Sequence, residues 1–75
     1  MYAYVLVGLS DATEREVLDE ISSFKEVESA NLLFGEWDII VKVKADSPEQ
    51  IANFVIEKIR SIESVQLTST LIVAN

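Results

Sequence analysis

Near the middle of the chain, Gly35-Glu36-Trp37 interrupts two apolar runs, and the segments on either side repeat one pattern of strand, helix, strand. This repetition constrains the fold more than any other feature. Residues 2–9 are apolar and rich in aromatic and β-branched side chains, which reads as a strand. Asp11 and Glu14 have capping-box spacing, and Val17, Leu18, Ile21 and Phe24 follow at helical spacing among acidic residues, so a helix is expected over residues 13–23. Residues 27–34 read as a second strand. Residues 38–45 form the clearest strand of the chain. There Trp37, Ile39, Val41 and Val43 are expected on one face, with Asp38, Ile40, Lys42 and Lys44 alternating on the other.

Ser47-Pro48-Glu49-Gln50 is a strong helix start: Ser47 can cap, Pro48 suits the first helical position, and Gln50 completes a Ser-x-x-Gln box. Ile51, Ala52, Val55, Ile56, Ile59 and Ile62 then trace an apolar stripe, giving a helix over residues 48–61. Residues 65–74 read as the last strand. The order is β-α-β-β-α-β. Right-handed crossovers of this length make each βαβ half parallel. Two such halves give an α+β, ferredoxin-like sandwich: a four-stranded antiparallel sheet with two helices on one face. Residues 1–75 are expected to form a single domain.

Both faces of that sheet look apolar. Val5 and Val7 alternate with Tyr4 and Leu6, and Val65, Leu67, Leu71 and Val73 alternate with Gln66, Thr68, Thr70 and Ile72. A solvated antiparallel face is normally polar. Scattered apolar residues are common on surfaces; the other reading is that a second copy packs there, sheet on sheet. Size favours the second reading. A domain of 75 residues buries only about 60% of the surface its unfolded chain exposes, and small domains gain stability from disulfides, metals or association. The sequence holds no cysteine and no histidine, so disulfides and the commonest metal ligands are excluded within it.

Composition removes several functions. The net charge of −7 argues against direct contact with nucleic acid, which needs clustered Lys and Arg. No apolar run approaches the roughly 20 residues that span a membrane. The opening residues lack a basic segment and read as a strand rather than a signal peptide, so a cytoplasmic setting is expected. Glu14, Glu16, Asp19, Glu20, Glu57 and Glu63 fall on polar helix faces, and no set of nucleophile, base and orienting group can be assigned. The expectation is a protein that is not an enzyme and carries no cofactor or metal.

Two groups remain. Gly35 permits positive φ in a turn and Asp38 favours turn ends; equally, the glycine lets backbone approach a ligand and the aspartate can pair with an ammonium group. Thr68 and Thr70 are good strand formers whose hydroxyls share one face; equally, they can hydrogen-bond a carboxylate or an amide.

With these groups in place, the chain resembles the effector-binding domain of the Lrp/AsnC transcription regulators, often called the RAM domain. Gly35-Glu36-Trp37-Asp38 is like that family's Gly-x-Tyr/Trp-Asp turn. Phe54-Val55-Ile56-Glu57-Lys58-Ile59 is similar to its Phe-Val-x-Glu-x-Leu helix. Residues 65–73 are like its Val-x-x-Thr-x-Thr-x-Ile-Val strand. The resemblance implies dimerisation through the sheets, further assembly of homodimers into higher oligomers, and an amino-acid effector bound between dimers. Carried over by motif, the ligand-binding positions are Gly35, Glu36, Asp38, Thr68 and Thr70. Asp38 would meet the effector's α-ammonium, and Thr68 and Thr70, with N–H groups near Gly35, its carboxylate. The chain starts directly at the first strand, without the winged helix-turn-helix typical of the regulators, so a stand-alone form is expected. It also has Glu63-Ser64 where the family often has Pro-Gly, and Leu67 where it often has a basic residue. The function implied is an effector-binding module in transcriptional regulation of amino-acid metabolism. The alternative is an interaction protein that co-assembles with full-length Lrp/AsnC regulators and modulates their DNA binding.

Overall fold

The computed structural model describes residues 1–10 and 13–75. Four strands, β1 (Tyr2–Leu9), β2 (Val27–Leu32), β3 (Ile39–Lys44) and β4 (Val65–Ile72), form one sheet in the order β2-β3-β1-β4. Every neighbouring pair is antiparallel. Two helices, α1 (Glu14–Ser22) and α2 (Pro48–Phe54), cover one face. This is the ferredoxin-like α+β arrangement that the two-fold sequence pattern predicts.

The pleat decides the core. Ala3, Val5 and Val7 pair with Val43, Val41 and Ile39, and all six are fully buried on the helix side. Val17, Leu18 and Ile21 of α1, with Ile51 and Phe54 of α2, are buried as well. Phe24 and Phe54 meet edge to face, ring centroids 5.9 Å apart, and join the end of α1 to α2.

The start of α2 follows its sequence signal, with one change. Ser47 Oγ accepts the Gln50 N–H at 3.2 Å, and Pro48 sits in the first turn. Gln50 Oε1, however, accepts the N–H of Asp46 at 2.8 Å, one residue before the cap. At α1, Thr13 stands at the N-cap without a side-chain hydrogen bond; the expected Asp11–Glu14 box lies outside the described residues because of Asp11. Beyond Phe54 the helix widens into a π-helical turn over Val55–Ile59, closed by the Arg60 N–H donating to the Val55 carbonyl at 2.8 Å. Along α2 and the widened turn, Ile51, Phe54, Val55 and Ile59 are buried and Ala52 and Ile56 are exposed. The apolar stripe expected along one face is therefore split into two.

Two strand ends also differ from expectation. β2 stops at Leu32 rather than residue 34 because the Leu33 N–H donates to the Asp38 carbonyl at 2.9 Å and the chain turns there. Trp37 does not join Ile39, Val41 and Val43 in the core. It precedes β3, where the pleat has not begun, and its ring lies against Gly8: a Cβ on Gly8 would stand 3.7 Å from Trp37 Cε3 and 3.6 Å from Leu67 Cβ.

The sheet face opposite the helices carries Tyr4, Leu6, Ile40, Leu67 and Leu71, and Leu67 and Leu71 are 63% and 55% exposed. Lys42 and Lys44 lie over the Tyr2 ring on this face, 4.5 and 5.9 Å from its centroid.

Candidate functional site

The turn between β2 and β3 is held from three sides. Leu33 closes its base, as above, and the Asp38 N–H donates to the Val7 carbonyl at 2.9 Å. The Asp38 carboxylate then accepts the Leu9 N–H at 2.7 Å through Oδ2. The register of β1 against β4 shifts between Gly8 and Leu9. Leu9 lies two residues beyond Val7, the last residue of β1 that pairs with β3, and the Asp38 side chain accepts its N–H in place of a strand carbonyl. Gly35 adopts φ +134°, a conformation that side chains with a Cβ rarely take, and beyond its chain neighbours no atom of the described residues lies within 4 Å of where its Cβ would stand.

Gly35 and Glu36 are exposed at this turn, and Asp38 is half-buried at its base. Asp38 Oδ1 accepts no hydrogen bond among the described residues.

Thr68 and Thr70 pair with Val7 and Val5 and therefore face the helix side of the sheet. Both line a cleft of about 310 Å³ between α2 and β4. Ile51, Ala52, Val55, Ile56 and Ile72 form its apolar wall, and Arg60 is its one charged residue. Ile56 and Ile72 are 60% and 44% exposed, so the cleft opens to solvent over apolar surface. Thr68 and Thr70 thus come together, as do Gly35, Glu36 and Asp38. The two groups do not meet within one chain: β1 stands between β3 and β4, and the cleft of the threonines touches none of the turn residues. Ile56, Arg60 and Ile72 were not among the site residues expected from sequence; the available signal was the apolar arc of α2, wider than a sheet-facing stripe requires.

Two other clefts take none of the five expected residues. One, of about 460 Å³, lies beside α1 and is lined by Ser10, Glu16, Glu20, Glu63 and Ser64 among others. The other, of about 330 Å³, holds Lys25, Lys44 and Lys58 with Glu26 and Glu57. Lys58 Nζ bonds both Glu26 oxygens, at 3.2 and 3.3 Å, and lies 5.6 Å from the Phe24 centroid. Partial burial opposes ionisation of Glu26, but its own backbone N–H and Lys58 outweigh that and hold its pKa below the ordinary value. Among the described residues no group of three or more acidic side chains is placed to hold a metal ion.

Residues 2–75 match the family model of the Lrp/AsnC ligand binding domain. The chain belongs to this family. An uncharacterised helix-turn-helix-type transcriptional regulator of Pyrococcus horikoshii is 40% identical over 73 residues, covering 93% of this chain and 49% of the relative. The Lrp/AsnC chain described here spans about half the length of the curated relatives it matches. The crystal structure of FFRP-DM1 superposes with a TM-score of 0.89 at 38% identity, covering 96% of each chain. A transcriptional regulator of Neisseria meningitidis, solved in complex with L-Met, shares the Lrp/AsnC fold with a TM-score of 0.87 at 24% identity, over 99% of this chain and 49% of that one.

Proposed function

We propose that this Lrp/AsnC domain binds a free amino acid at a site built from two copies of the chain, as an effector module in transcriptional regulation of amino-acid metabolism. The observation that carries the reading is the division of polar groups. A carboxylate oxygen that accepts no hydrogen bond among the described residues stands at the Gly35–Asp38 turn, and a pair of hydroxyls stands in a cleft across β1. An amino acid offers the complementary pair, an ammonium for Asp38 and a carboxylate for Thr68 and Thr70. The L-Met bound to the Neisseria regulator supports this ligand class.

In this reading the chain is a single-domain binding protein rather than an enzyme, works in the cytoplasm, and contacts no nucleic acid itself. The exposed apolar face around Tyr4, Leu6, Leu67 and Leu71 supports pairing of two copies sheet on sheet. The same face is the support for the second reading, co-assembly with full-length regulators of the family, since the chain matches about half of such relatives.

Isothermal titration calorimetry with each of the twenty amino acids tests the main reading. Binding of at least one at millimolar concentration or below is expected, and it should be lost in Thr68→Val/Thr70→Val, which keeps strand propensity and removes both hydroxyls. Silence from all twenty sinks it.

A further inference from the structure

The cleft between α2 and β4 has a direction. Its β4 side runs from Thr68, opposite Val7, to Ile72, opposite Ala3. The helical side runs the other way. Pro48 follows Lys44, the partner of Tyr2, and Arg60 precedes Val65, the partner of Leu9. Arg60 and Thr68 therefore share one end of the cleft, and Pro48, Ala52 and Ile72 share the other. One end offers a guanidinium and a hydroxyl; the other is apolar.

The π-helical turn keeps Arg60 in this row. Pro48, Ala52, Ile56 and Arg60 follow at four-residue steps, and all four line the cleft. In a regular α-helix each such step runs about 40° past a full turn, which would swing Arg60 well away from Pro48. The bond from the Arg60 N–H to the Val55 carbonyl reaches back five residues instead of four, and the wider turn takes back part of that drift. Turns of this kind recur at functional sites. The guanidinium is also uncommitted, the ion pair among the described residues being Lys58 with Glu26. Among the described residues no Asp or Glu lines the cleft. A ligand's carboxylate thus has a partner there, and an ammonium has none.

We infer that the α2–β4 cleft of a single chain takes an aliphatic monocarboxylate, its carboxylate on Arg60 and the Thr68 hydroxyl and its tail against Ala52, Val55 and Ile72. The planar fork of arginine meets a carboxylate with two N–H groups. The volume of about 310 Å³ holds a short branched tail. Because no acid faces the ligand, the keto acid that corresponds to an aliphatic amino acid binds here as well as the amino acid does. The contact asks nothing of Asp38 or of a second copy, and so goes beyond the two-copy site proposed above.

Nuclear magnetic resonance spectra of the backbone amides of the full chain, titrated with isocaproate, α-ketoisocaproate, the uncharged isocaproamide and L-leucine, test the site. Both acids are expected to shift amides of α2 and β4, and isocaproamide to shift none. Butyrate should bind up to about fourfold more weakly for each carbon lost from the tail. Arg60 is exposed, so Arg60→Gln should fold and should weaken both acids about threefold. Isocaproamide binding as tightly as isocaproate, shifts that avoid α2 and β4, or an Arg60→Gln titration matching wild type overturns the site. The amino acids separate the two ideas. Binding of the acids with silence from all twenty amino acids removes the amino-acid reading alone, whereas binding of L-leucine with silence from both acids removes this site alone.

Discussion

Asp38 Oδ2 accepts the Leu9 N–H at 2.7 Å, two residues past Val7, the last residue of β1 paired with β3. A side chain thus finishes a ladder that the backbone leaves open. Asp38→Asn keeps an oxygen acceptor for Leu9 and removes the charge, so it should fold within about 1 kcal/mol of wild type and lose amino-acid affinity. Asp38→Ala leaves the Leu9 N–H without a partner and should cost about 1–3 kcal/mol. Urea unfolding and calorimetry on the two variants separate the structural role of the carboxylate from its proposed ligand role. Equal stability of both variants would remove the structural role.

Gly35→Ala should destabilise the fold although its Cβ would meet no atom within 4 Å. The cost is conformational, arising from φ +134°, and a strained residue of this kind costs on the order of 1–3 kcal/mol. Urea unfolding measures it, and a neutral result would show that the turn relaxes.

Ile59→Ala and Ile56→Ala should part sharply, although the residues are three apart on the π-helical turn. Ile59 is fully buried and Ile56 is 60% exposed. The first should cost about 2–5 kcal/mol and the second well under 1 kcal/mol in a dilute, unassembled sample. A comparable loss in both would mean that the widened turn does not separate the two stripes.

The Glu26–Lys58 pair predicts a narrow pH effect. Glu26 has a lowered pKa when folded, so its contribution is fully present above its unfolded value near 4.5 and fades as pH falls through the folded value. Both side chains are partly exposed, at 24% and 39%, so the contribution is no more than about 1 kcal/mol. The stability gap between wild type and Glu26→Gln should be present at pH 7 and shrink below pH 4.5. A gap that does not change with pH would assign it to packing.

The strands were legible because their alternation is nearly unbroken: Val5 and Val7, then Ile39, Val41 and Val43, declare the buried face, and all five are fully buried. The start of α2 was legible because capping uses local residues, Ser47 and Gln50. The π-helical turn was not, since moving an acceptor from four residues back to five leaves no mark on composition; Phe54 lies three residues after Ile51, on the same buried face of α2. Trp37 was misplaced because alternation was extended past the start of β3. The five proposed site residues were picked out by type and motif, but the separation of Gly35, Glu36 and Asp38 from Thr68 and Thr70 by β1 belongs to strand order. So does the bond from Asp38 to Leu9, whose partners lie 29 residues apart.

Trp37 is the only tryptophan in the chain, and it lies against Gly8 beside Leu67, where the turn meets the apolar sheet face. The protein therefore carries a native optical probe at the rim of the face proposed to pair. Pairing through the sheets would dry the indole from the Leu67 side, so its emission should move to shorter wavelength as concentration rises.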